Sequence, residues 1–88
     1  MRIKIQVLGS GCRKCRMLEK LTTEVARENN MNAEILKVED IVQIIKYGVM
    51  STPALVVNGK VVITGRVPSK TEIKSLIDKE ISEISDQN

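Results

Sequence analysis

The two cysteines of the chain, Cys12 and Cys15, are three positions apart in the stretch LGSGCRKCRMLEK. Residues three apart on a helix share a face, with Cβ atoms about 5 to 6 Å apart, which is close to the Cα spacing that a disulfide tolerates. Two thiolates also bind soft metals such as Cu(I), and cysteines are often buried without any chemical role. The spacing therefore allows a redox pair, a metal site or plain packing.

Basic residues surround the pair, at Arg13, Lys14 and Arg16. We expect Cys12 at the N-terminus of a helix, where free N–H groups, the helix dipole and these cations favour thiolate and lower the pKa of the thiol. Cys15 lies one turn deeper and should be less exposed and less ionised. This asymmetry predicts that Cys12 is an attacking thiol and Cys15 a resolving one.

Metal binding is the alternative function that the cysteines leave open. A closed zinc site needs four ligands, and this chain has no histidine and no third cysteine. A soft-metal or metalloid carrier needs only the two thiolates. Carriers of this kind often have Met two residues before the first cysteine, where this chain has Ser10.

The elements that would position the pair follow from the hydrophobic pattern. Alternation near the N-terminus predicts a strand, and apolar residues at helical spacing after the cysteines predict a helix. The order strand, helix, strand, helix, hairpin, helix predicts an α/β domain with one mixed sheet between helices. The predicted elements are a strand at 3–8, a helix from Arg13 to about Asn29, a strand at Ala33–Val38, a helix ended by Gly48, a hairpin at 54–64 and a helix to about Ile84.

Three local signals support these elements. Asn58 and Gly59 both tolerate positive φ and predict a type I′ hairpin turn. Ser69 is predicted to cap the last helix, with Glu72 reaching back as its capping-box partner. The acidic residues at 39 and 40 are predicted to lie in the first turn of the second helix.

Composition narrows the class of protein. The chain has 88 residues, 42% of them hydrophobic, and we predict one domain over residues 1–85 with a frayed tail at 86–88. A net charge of +3 and a single aromatic residue argue against nucleic-acid binding. No apolar run approaches the roughly 20 residues of a membrane helix, and no signal-peptide core is present, so we expect a cytoplasmic protein that binds no membrane.

Three segments, GSGCRKC, MSTPALVVNGKVV and GRVPSKTEIKSLI, together resemble small thioredoxin-like proteins of the redox-active disulfide type. The resemblance covers Ile3 to about Ile84. It implies a thioredoxin-like β-α-β-α-β-β-α fold, a four-stranded mixed sheet flanked by three helices. It also implies a thiol–disulfide oxidoreductase whose redox group is a Cys12–Cys15 disulfide, with no bound cofactor. We expect the protein to be a monomer. Its partners would be a disulfide-containing client protein and a reductase that donates electrons.

The resemblance also implies a substrate-binding surface. In this superfamily the bond Thr52–Pro53 would be cis and lie beside the cysteines, leaving the backbone of Thr52 open to pair with a client segment. Gly11 and Met50 would also contact the client, although a Met before a buried strand often only packs.

The chain also departs from the family pattern. Thioredoxins have a buried acidic residue six positions before the first cysteine, where this chain has Gln6, which cannot relay a proton. Lys14 replaces the tyrosine usual in glutaredoxins. Tyr47 either borders the substrate groove or, as we favour, covers the end of the second helix.

Overall fold

The computed structural model describes residues 3–9, 11 and 13–86, with the backbone alone over 83–86. Cys12, Ser10 and the last two residues of the predicted tail lie outside the described residues. The order of strands and helices agrees with the sequence prediction.

Four strands form one mixed sheet: β1 (Ile3–Leu8), β2 (Ala33–Val38), β3 (Ala54–Val57) and β4 (Lys60–Thr64). Their order across the sheet is β2-β1-β3-β4. β1 is parallel to β2 and antiparallel to β3, and β3 is antiparallel to β4. The predicted mixed sheet is therefore confirmed, with β1 in its interior.

Three helices flank the sheet: α1 (Arg13–Glu28), α2 (Ile41–Lys46) and α3 (Lys70–Asp86). Side chains alternate between the two faces of β1, so one set packs with α1 and α3 and the other with α2. The first core cluster includes Ile3, Ile5, Val7, Leu18, Val25, Leu55, Val57, Ile63, Ile73 and Ile77. The second includes Leu8, Ile44, Val49, Ala54 and Val56. None of the described helices has the length and apolarity needed to cross a membrane.

The turn between β3 and β4 has φ values of 50° at Asn58 and 87° at Gly59. Two successive positive φ values are the signature of a type I′ turn, so the predicted hairpin is confirmed. Asn58 also accepts the Lys4 N–H through its side-chain oxygen, at 2.9 Å. The turn is thereby tied to the central strand.

Two capping predictions need correction. Ser69 Oγ accepts the Glu72 N–H at 3.3 Å, as predicted, but the Glu72 carboxylate binds the Arg66 guanidinium instead of closing the capping box. A two-pronged guanidinium bond is stronger than one to a backbone N–H. Asp40 is the N-cap of α2 and accepts the Val42 N–H at 2.9 Å. The prediction that the acidic residues at 39 and 40 occupy the first turn of α2 was wrong, because that helix begins at Ile41, after both of them.

Candidate functional site

Cys15 lies in the first turn of α1 and is 1% exposed. Its sulfur is in the disulfide state. The predicted burial of Cys15 is confirmed. The predicted role of Cys12 falls on a residue outside those described, and stays a prediction.

The backbone of Gly9 lies directly against the Cys15 sulfur. It follows β1, and its N–H donates to the Val38 carbonyl at 2.9 Å. Its φ is 144°, and a Cβ placed on it would overlap Cys15 Sγ and lie 3.4 Å from Thr52 Cβ. The missing side chain at Gly9 therefore lets Cys15 and Thr52 come together, a requirement that the sequence analysis missed.

The Thr52–Pro53 bond is cis, the isomer that the resemblance implies. Pro53 is buried, and its carbonyl accepts the Gly65 N–H at 2.8 Å. Thr52 is exposed, and its backbone makes no hydrogen bond with another residue in the described part of the chain. The loop before β3 is thus fixed at the proline and open at the threonine.

An apolar groove of about 680 Å³ runs from Thr52 along α2. Ile41 and Ile45 line it and are 69% and 64% exposed, and Met50, also in its wall, is 99% exposed. Packing is therefore excluded as the role of Met50. The exposure of the two isoleucines follows from the length of α2, because a six-residue helix can bury only one side, and here it buries Ile44.

The basic residues of the site, Arg13, Lys14 and Arg16, are all exposed in the first turn of α1. Gly11, predicted to contact the client, is exposed with a φ of 65°, and a Cβ there would meet nothing within 4 Å. These residues and the Thr52 loop thus lie at the same end of the molecule as Cys15.

Gln6, at the position where thioredoxins have an acid, accepts a hydrogen bond from the Tyr47 hydroxyl at 2.6 Å. Tyr47 is half-buried, is the C-cap of α2 and packs against the second core cluster. Its predicted place over the end of α2 is confirmed. The Gln6 amide is thus engaged in a structural bond on the α2 face of the sheet.

One carboxylate near the site was not singled out from the sequence. Glu19, four residues after Cys15, forms an ion pair with Lys37 of β2, with Oε2 and Nζ 3.6 Å apart. Lys37 also pairs with Glu39, at 3.3 Å. Glu19 Oε2 is shielded from solvent and accepts no hydrogen bond within the described part of the protein. Its four-residue offset from Cys15 was the available signal.

Comparison with known proteins identifies the family. The family model for a thioredoxin domain matches residues 1–78. A thioredoxin of Methanothermobacter thermautotrophicus is 43% identical over 75 residues, 85% of this chain and 97% of the relative. The chain belongs to the thioredoxin family. A thioredoxin of Methanocaldococcus jannaschii is 33% identical over 72 residues, which are 82% of this chain and 83% of that protein.

Solved structures agree on the thioredoxin fold. The oxidised thioredoxin of Plasmodium falciparum has a TM-score of 0.64 at 21% identity, covering 89% of this chain and 80% of its own. Thioredoxin-2 of the malaria parasite has a TM-score of 0.70 at 18% identity, covering 89% and 82%. The predicted fold is confirmed, and family membership makes the protein a thiol–disulfide oxidoreductase.

Proposed function

We propose that Cys12 and Cys15 exchange disulfides with client proteins. The Cys12 thiolate attacks a client disulfide, forming a mixed disulfide and releasing one client sulfur as a thiolate. Cys15 then attacks the Cys12 sulfur, and the second client thiolate leaves with the electron pair. The client is reduced by two electrons and the pair is oxidised. The observation that carries this proposal is the Cys15 sulfur itself, in disulfide form against Gly9 and near Thr52 of the cis bond.

The different environments of the two cysteines support the division of roles. Cys15 is buried in α1, where thiolate is poorly solvated, whereas Cys12 precedes the first helical residue. Arg13, Lys14 and Arg16 add positive potential there, which favours the Cys12 thiolate and stabilises the reduced pair. This makes the pair a somewhat better oxidant than it would be without them.

The client would bind as an extended segment beside the cis bond. The open backbone of Thr52 would pair with it as an added strand, and the apolar groove would take its side chains. Met50 and the exposed isoleucines of α2 supply that apolar contact, and Gly11, where a Cβ would meet nothing within 4 Å, leaves room for the client.

Membership of the thioredoxin family supports the partners that this cycle needs. A reductase would return electrons to the oxidised pair, and no bound cofactor takes part in the exchange itself. A reducing cytoplasm, our predicted location, is where cysteine pairs serve as transient catalytic disulfides.

Single cysteine variants test the proposed order of attack. Cys15→Ser should accumulate a mixed disulfide between Cys12 and a disulfide-containing protein, because nothing resolves it. Cys12→Ser should trap little, because Cys15 is buried. Each variant is mixed with the same client, separated without reductant, and the linked cysteine is identified by mass spectrometry. The double serine variant is the control for non-covalent association.

Equal trapping by both single variants would contradict the assigned roles. Trapping by neither variant, together with tight Cu(I) binding by the unaltered protein, would favour the metal carrier. A two-thiolate site loses affinity when either ligand is removed, so both serine variants would then lose Cu(I) to similar extents.

A further inference from the structure

Resolution of the mixed disulfide requires Cys15 to lose a proton inside the protein. Cys15 is 1% exposed, so water has little access to its thiol. Gln6 cannot exchange a proton as an acid does, and its amide oxygen is held by Tyr47. A protein group that takes this proton would therefore assist resolution.

Glu19 has the position for this task. Residues four apart on a helix are neighbours, with Cβ atoms about 5 to 6 Å apart. Helical side chains lean toward the N-terminus and cover the preceding turn, and the turn before Glu19 carries Cys15. From this geometry we expect the Glu19 side chain to lean toward the turn that carries Cys15.

Contacts with β2 place Glu19 independently of the helix argument. The Cys15 sulfur lies against Gly9, and the Gly9 N–H donates to Val38. The neighbour of Val38 on the strand is Lys37, whose ammonium pairs with the Glu19 carboxylate. The Cys15 sulfur and the Glu19–Lys37 pair are thus both tied to the C-terminal end of β2, the first through Gly9 and the second through Lys37.

One oxygen of the Glu19 carboxylate is available to accept a hydrogen bond or a proton. The side chain as a whole is 38% exposed, yet Oε2 is shielded from solvent. Lys37 Nζ, 3.6 Å away, is just beyond hydrogen-bond distance, and Oε2 accepts no hydrogen bond from any described residue. A shielded carboxylate oxygen of this kind normally has a donor.

We propose that Glu19 accepts the proton of the Cys15 thiol during resolution, with Lys37 as the positioning residue that holds the carboxylate. The proposal rests on the exchange function proposed above. The proton passes from Cys15 Sγ to Glu19 Oε2, directly or through one water. The Cys15 thiolate bonds to the Cys12 sulfur, and the client leaves as a thiolate that is protonated from solvent. Glu19 then returns its proton to solvent, so no further reactant is required.

The proposed proton transfer predicts how the rate of resolution depends on pH, and several charged groups surround Glu19. Lys37 faces Glu19 from β2, with Glu39 behind it, and Arg16 and Lys20 are its exposed neighbours on α1. Transfer from thiol to carboxylate keeps the proton within the protein. It therefore adds a pH-independent component to the resolving rate, whereas thiolate formed by loss of a proton to water rises about tenfold per pH unit below the thiol pKa.

The resolving step can be isolated with the reduced protein and an aromatic disulfide whose released thiolate is coloured. The first coloured equivalent reports attack by Cys12 and the second reports resolution by Cys15. Glu19→Gln should slow the second phase by roughly a hundredfold or more at neutral pH and remove its pH-independent component. The first phase should be unchanged. Glu19→Asp, which keeps the carboxylate, should retain the component.

Glu24→Gln is the matched control, since Glu24 is on the same helix and pairs with Lys70 of α3 at 3.3 Å. Its second phase should equal that of the unaltered protein, and urea unfolding verifies that all variants fold. A purely electrostatic role predicts the opposite sign for Glu19→Gln, because removing a negative charge favours the nearby thiolate and speeds resolution.

The two proposals fail in different ways. If the unaltered protein releases no second equivalent, Cys15 does not resolve and the exchange function itself is wrong. If both phases occur and Glu19→Gln keeps the pH-independent component, or resolves faster, only the role of Glu19 is overturned.

Discussion

Replacing Gly9 by alanine should destabilise the protein at the point where its site is assembled. The added Cβ would overlap Cys15 Sγ, and it would lie 3.3 Å from Cys15 Cβ and 3.4 Å from Thr52 Cβ. Rotation of the Cys15 side chain moves the sulfur but not its Cβ. Either the start of α1 or the loop before Pro53 must therefore shift.

Two costs contribute to the expected loss of stability. Overpacking of a tight contact costs about 1 to 3 kcal/mol. The φ of 144° at Gly9 is a conformation that residues with a Cβ rarely adopt, which adds about 1 to 3 kcal/mol. The sum, about 2 to 6 kcal/mol, is a large part of the roughly 4 to 13 kcal/mol expected for a chain of this length.

Gly11→Ala separates the two costs. Gly11 also has a positive φ, 65°, but a Cβ there meets nothing within 4 Å. Backbone strain alone should cost about 1 to 2 kcal/mol. The free energy of unfolding of each variant, measured by urea titration of the reduced proteins, should therefore be lower for Gly9→Ala by about 1 to 3 kcal/mol.

The contact between Gly9 and Cys15 can be tested once more by removing the sulfur. Combining Gly9→Ala with Cys15→Ala deletes the overlapping atom, so the two changes should be non-additive, with the double variant more stable than the sum predicts. Equal losses for both glycine variants, or strict additivity in the double variant, would refute the overlap argument.

Three further predictions concern the surroundings of the site. Tyr47→Phe removes the partly buried hydrogen bond to Gln6 of β1. It should lower the free energy of unfolding, measured by urea titration, by about 0.5 to 1.5 kcal/mol. The Arg66 bond lowers the pKa of Glu72, so this pair stabilises the fold above the unfolded pKa of the carboxyl and ceases to do so as the pH falls through the folded one. Glu72→Gln should therefore lower the thermal midpoint at neutral pH but not in strong acid, and a difference that persists in acid would contradict this. Changing Arg13 and Lys14 to glutamine should raise the pKa of the Cys12 thiol, more at low salt than at high salt. The pKa is followed by thiolate absorbance. An unchanged pKa would mean that the helix terminus alone lowers it.

Much of the fold could be predicted because its signals are local. Positive φ at Asn58 and Gly59 follows from residues that tolerate it, and the strand at Ala33–Val38 has the bounds predicted for it. The errors arose where a residue with a predicted local contact binds a different residue in the folded protein. Glu72 had a capping position available but also Arg66, which offers two donors to its carboxylate.

The candidate site was only half predictable for the same reason. The cysteines, the proline and the basic turn are visible as motifs. Glu19 and Lys37 are ordinary charged residues in the sequence, 18 positions apart, and they meet only because β2 lies beside β1 and under α1. Met50 was ambiguous because its exposure, which excludes packing as its role, depends on how the segment between α2 and β3 lies against the core.

Strand register explains why these separate parts meet at one point. Leu8 pairs with Ala54 at the end of the antiparallel β1–β3 ladder, so one step further along the chain brings Gly9 opposite Pro53. A slip of one residue would turn every side chain of β1 to the other face, moving Ile5 and Val7 out of the α1 side of the core. The hydrophobic alternation of β1 therefore holds the register that places the Cys15 sulfur beside Thr52. Changes to β1 that leave all site residues intact should still impair the site, because its geometry depends on that register.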